Sequence, residues 1–103
     1  MKREEALKIL LQNRNELALF GLRRLALFGS VARNEAAAES DIDILVEFDG
    51  ELTFDVYANL NNRLEDLLGR PVDLVTPSAV RPFMREAIEE DAYEIKGLST
   101  ISR

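Results

Sequence analysis

Residues 25–48, LALFGSVARNEAAAESDIDILVEF, set two apolar runs on either side of a polar connection. Arg23 to Phe28 is short, apolar and stopped by Gly29, the pattern of a buried strand. Asp41 to Phe48 alternates, with Ile42, Ile44, Val46 and Phe48 on one face and Asp41, Asp43, Leu45 and Glu47 on the other. One face is core; the other carries acids. Between the runs, Ser30 to Arg33 reads as a brief helical turn and Asn34 to Ser40 as a polar, Ala-rich connection. A link this short makes the two strands antiparallel neighbours. The end of the first then meets the start of the second.

Working towards the N-terminus, Lys2 to Phe20 reads as helix. Ala6, Leu7, Leu10 and Leu11 form an apolar stripe that Leu17, Leu19 and Phe20 continue past a polar break at Asn13 to Asn15, and Gly21 closes the segment. On the other side, Asp49-Gly50 turns the chain and Thr53 caps a helix carrying Tyr57, Leu60, Leu64 and Leu67 until Gly69 and Pro71 stop it. Val72 to Thr76 is a third strand. A strand, a crossover helix and a strand make a right-handed unit in which strands two and three run parallel. Pro77-Ser78 leads into a last helix with Pro82 in its first turn and Phe83, Met84, Ala87 and Ile88 on its apolar side, and Ala92 to Ile95 reads as a short edge strand. The expectation is an α/β fold in one domain over residues 1–103, a small mixed β-sheet of three to four strands flanked by helices.

The composition narrows the chemistry. The chain has 103 residues, no cysteine and no histidine, so thiolate and imidazole ligands, thiol nucleophiles and a histidine base are all excluded. Catalysis must rest on carboxylates, hydroxyls and cations. A net charge of −6 opposes stable binding to long nucleic acids, which depends on a surplus of Lys and Arg. The apolar runs are short and Met1 to Arg14 carries charges throughout, so neither a membrane span nor a signal peptide is expected, and the cytoplasm is the expected location.

The candidate site lies between Phe28 and Asp43. Gly29 has no side chain to hold a phosphate off the backbone, and Ser30 with the N–H groups of the following turn can donate hydrogen bonds to one. Asp41 and Asp43, one residue apart on a strand, aim to the same side about 7 Å apart along the backbone. Magnesium suits such a pair, being held as a rule by one or two carboxylates and substrate phosphates. Asp73 begins strand three at the same end of the sheet. Three carboxylates there can hold two cations roughly 3.5–4 Å apart, the arrangement that steadies the attacking and leaving oxygens of an in-line displacement. Asp near a strand start can simply end a turn, and Gly-Ser is a common pair. Three acids on otherwise apolar strands, however, repel one another unless cations or solvent neutralise them. Arg33 can bind triphosphate or sit as an ordinary surface arginine, while Glu47, Tyr57, Tyr93 and the run Glu89-Glu90-Asp91 read as solvated or packing positions.

Gly29-Ser30, ten intervening residues and Asp41-Ile42-Asp43 resemble the Gly-Ser…Asp-x-Asp signature of the polymerase-beta-like nucleotidyltransferases. LFGSVAR, SDIDILVEF and PVDLVTP together are similar to the minimal nucleotidyltransferase group, over nearly the whole chain. The resemblance implies the palm-like α/β fold, two Mg2+ ions on Asp41, Asp43 and Asp73, and ATP triphosphate contacts from Gly29 and Ser30. It also implies an antitoxin paired with a HEPN-domain toxin in a hetero-oligomer, moving AMP from ATP to a toxin tyrosine. Asn34 stands where that group often has Gly; Asn tolerates left-handed backbone. Two other readings have the same fold neutralising the toxin by contact alone, or modifying a small molecule or RNA end. Intact acids favour catalysis over mere contact, and longer relatives that modify small molecules or RNA carry an acceptor domain for which this chain has no room.

Overall fold

The computed structural model describes residues 1–37 and 40–96, so positions 38–39 of the polar connection and 97–103 of the expected domain lie outside the described residues. Strand β1 (Leu22–Phe28) pairs antiparallel with β2 (Ile42–Phe48), and β2 pairs parallel with β3 (Val72–Val75). A two-residue strand β4 (Tyr93–Glu94) adds to the free edge of β1, giving the order β3-β2-β1-β4. The sheet is thus mixed and four-stranded, as the alternation and the crossover unit predict.

One face of the sheet closes the core. Leu25 and Leu27 stand opposite Val46 and Ile44 in the β1–β2 register, and these side chains pack with Ile42 in one buried cluster. Helices α1 (Arg3–Gln12), α2 (Arg14–Ala18) and α4 (Phe54–Leu68) cover them with Ala6, Leu10, Leu17, Leu60 and Leu64. The break between α1 and α2 falls at Asn13, whose side-chain amide donates to the Ile9 carbonyl at 2.8 Å alongside its own backbone N–H at 3.2 Å, a local side-chain bond that competes with continued helix. Thr53 caps α4 by accepting from the Val56 N–H at 3.2 Å, and Gly69 ends it in the left-handed conformation. Among the described residues no helix is long and apolar enough to cross a membrane.

The last helix departs from expectation. Helix α5 (Pro82–Asp91) contributes no buried side chain, and its apolar positions Phe83 and Met84 are 75% and 46% exposed. It lies over the opposite face of the sheet, where Leu45 is covered, and is fastened by charge rather than by its apolar stripe. Arg24 of β1 donates to both Glu89 carboxylate oxygens at 2.9 and 2.7 Å, and Arg33 donates to Asp91 at 2.6 Å. Two members of the acidic run expected to be solvated therefore anchor the helix. Glu47 is likewise paired, with Arg24 at 3.3 Å. Tyr57 packs as expected, donating its hydroxyl to the Leu74 carbonyl, whereas Tyr93 is exposed with the Arg3 guanidinium 4.9 Å above its ring.

Candidate active site

Three strand ends converge because of register alone. Phe28, the last residue of β1, stands opposite Asp43, and Asp43 stands opposite Asp73 of β3. Asp41 immediately precedes β2, and Gly29 immediately follows β1 and opens the short helix α3 (Gly29–Ala32) with Ser30 next in it. Gly29, Ser30, Asp41, Asp43 and Asp73 are thus gathered at one end of the sheet, as the sequence predicts. Asp41 and Asp73 are exposed and Asp43 is half-buried.

The fit between Gly29 and Asp43 is closer than the sequence discloses. Gly29 has φ +76°, and a Cβ built on it would lie 2.1 Å from Asp43 Oδ2. Glycine is required twice over, by the left-handed backbone and by the carboxylate resting against it. Asp43 is in turn held protonated to higher pH than an ordinary Asp. Burial is the main cause, followed by the negative charges of Asp73 and then Asp41, with Arg33 partly offsetting them. Concentrated, uncompensated negative charge of this kind suits a hard divalent cation, so the donor set fits magnesium. Among the described residues no three acidic side chains are arranged to enclose an ion by themselves. The remaining ligands would have to come from phosphate oxygens and water, the usual manner of magnesium binding.

Arg33, the candidate triphosphate contact, lines a cleft beside Gly29 with its guanidinium already paired. Its Nε donates to Glu35 at 3.0 Å and another guanidinium nitrogen to Asp91 at 2.6 Å. Asn34 adopts φ +61°, the left-handed conformation the sequence allows it, and its side-chain oxygen accepts from the Arg3 N–H at 3.0 Å. That bond, with Arg3 donating to the Ala32 carbonyl at 3.0 Å, seats the start of α1 against the end of α3.

Two open clefts adjoin the acids. One, of about 360 Å3, runs from Gly29 and Arg33 to Phe83, Met84 and Asp91. The other, of about 250 Å3, includes Asp73, Val75 and Arg81. Phe28, Met84 and Ile88 line both and form the wall between them. Phe83, Met84 and Arg81 are the residues that sequence reasoning missed as part of the site. The helical spacing of Phe83 and Met84 marked a face of α5 without telling whether core or cleft would receive it, and nothing in the sequence pattern marked Arg81, which precedes that helix.

Comparison with known proteins agrees with this geometry. Residues 4–95 match the family described as nucleotidyltransferase domain. The protein adenylyltransferase MntA of Thermococcus cleftensis is 42% identical over 86 residues, 82% of this chain and 87% of that protein. A solved structure described as a minimal nucleotidyltransferase superposes with a TM-score of 0.73 at 37% identity, covering 90% of this chain and 95% of the other. A chain in the structure of the tri-AMPylated Shewanella oneidensis HEPN toxin with MNT antitoxin superposes at 0.57 and 23% identity, covering 84% and 71%, a likeness of fold alone.

Proposed function

The chain belongs to the nucleotidyltransferase domain family, in its minimal group, and from that premise we propose that it transfers AMP from ATP to a tyrosine hydroxyl of a HEPN-domain toxin, with magnesium, and so neutralises it. The observation that carries the reading is the register row in which Asp43 faces Asp73 while resting against Gly29. A name of protein adenylyltransferase for a relative 42% identical supports the AMP and protein parts, and the signature resemblance supports the toxin partner.

The residues divide the work. Gly29 lets the Asp43 carboxylate rest against the start of α3, and the Ser30 hydroxyl and the N–H groups of that turn donate to the triphosphate oxygens. Asp41, Asp43 and Asp73 would hold magnesium, which when bound lends its charge to the phosphate oxygens and to the departing diphosphate. Asp73 is exposed on the second cleft, where an acceptor hydroxyl can approach. A tyrosine hydroxyl, with an ordinary pKa of about 10, keeps its proton at neutral pH. Asp73 orients it and accepts that proton as the phenolic oxygen bonds to the α-phosphorus. The bond from the α-phosphorus to the bridging oxygen of the β-phosphate breaks, and diphosphate leaves.

Incubation of the chain with the HEPN toxin, ATP and magnesium, followed by intact-mass measurement of both proteins, tests the proposal. The toxin is expected to gain one or more AMP masses. Chelation should abolish the gain, and Asp73→Asn should reduce it at least about 100-fold, the scale for losing a positioned proton acceptor, with a much smaller effect on ATP affinity. A toxin neutralised without mass change would assign the domain to binding alone.

A further inference from the structure

We propose that the cleft between Gly29 and Phe83 is the nucleobase subsite, and that it holds the base by stacking on Phe83 and selects by ring size rather than by hydrogen-bonding pattern. This rests on the nucleotide-transfer reading above. The cleft begins at Gly29, where the phosphates approach, and its volume of about 360 Å3 is in the range of small-ligand sites. At its far side stands Phe83, an aromatic ring 75% exposed on a helix otherwise fastened by ion pairs. A base laid between that ring and the Met84–Ile88 ridge would bury apolar surface that is open among the described residues.

The polar side chains lining the cleft are Arg33 and Asp91, and they are bonded to each other at 2.6 Å. Both are already engaged, Arg33 with Glu35 as well, so reading the edge of a base would compete with these ion pairs. What remains is apolar contact, which grows with the area of the ring system and does not distinguish an amino from a carbonyl substituent. Purine nucleotides should therefore bind better than pyrimidine nucleotides, with little preference between adenine and guanine. Choice of acceptor is left to the second cleft, beyond Met84 and Ile88.

The test is calorimetric titration of the full chain with ATP, GTP, CTP and inorganic tripolyphosphate, each with magnesium. Wild-type affinities for ATP and GTP should agree within about threefold and CTP should be about tenfold weaker, the scale of a lost stacking contact. Phe83→Ala should weaken ATP about tenfold and leave tripolyphosphate unchanged, and Phe83→Tyr should restore ATP affinity. Because Phe83 lies outside the core, the thermal midpoint should not move. Unchanged ATP affinity in Phe83→Ala, or an equal loss for ATP and tripolyphosphate, would overturn the subsite. Wild-type protein that bound neither ligand would overturn the nucleotide-transfer reading as well.

Discussion

Replacing Asp41 and Asp43 together by Asn is expected to lower nucleotide transfer by at least about 10³-fold, as loss of electrostatic stabilisation at a reacting phosphate does, while the fold stays as stable or gains slightly. Three carboxylates at one sheet end repel, and Asp43 is disfavoured as an anion by burial and by its neighbours Asp73 and Asp41. Its folded pKa lies above its unfolded one. The penalty is absent in acid, where both states are protonated, sets in as pH rises through the ordinary Asp range, and is complete above the raised folded value. Removing it at neutral pH should leave the fold as stable or slightly more so, a rise of at most a few degrees in the thermal midpoint. Thermal melts in chelator between pH 3 and 7.5 check this: the variant's advantage should be full at neutral pH and shrink towards zero as the pH falls through the ordinary Asp range. A double variant that unfolds would make the pair structural and remove the basis for a metal site there.

Gly29→Ala should be nearly as damaging to activity, by a different route. The left-handed backbone costs an L-residue about 1–2 kcal/mol, and the new methyl would fall 2.1 Å from Asp43 Oδ2, so the carboxylate must turn away. A displacement of that size at a reacting centre costs about 100-fold in rate. The two effects can be separated by combining the substitution with Asp43→Ala. Most of the stability lost through collision should be recovered in the double variant, in which the Cβ at position 43 stays 3.0 Å from the new methyl, whereas stability lost through backbone strain should not. Full additivity would mean that Gly29 and Asp43 do not touch.

Most of the architecture could be read before any coordinates, because each element carries its own punctuation: Gly21, Gly29 and Gly69 at positive φ, Thr53 as a cap, Asn13 as a break. The site was legible for a related reason. A carboxylate every second residue on an apolar strand points to a role other than core packing, and the crossover unit makes β3 parallel to β2, which brings Asp73 to the same end of the sheet; the register that sets it directly beside Asp43 is seen only in the structure. What escaped was pairing across long separations. Nothing in the local pattern said that Arg24 would take Glu89, or that Arg33 would reach Asp91. The apolar stripe of α5 misled because periodicity records that one face is greasy and not what will cover it.

The core closes without a side chain from α5, so the thermodynamic demands on residues 82–88 are slight. Substitutions there can accumulate without unfolding the domain, and a population of such chains can explore new ligands and partners while the strand ends bearing the acids stay fixed. For protein engineering the same separation marks the exposed positions Phe83, Glu86 and Ala87 of α5 as exchangeable: they can be randomised while Ile88, Glu89 and Asp91 keep the helix in place, and a change in what the domain accepts can then be ascribed to recognition rather than to loss of structure.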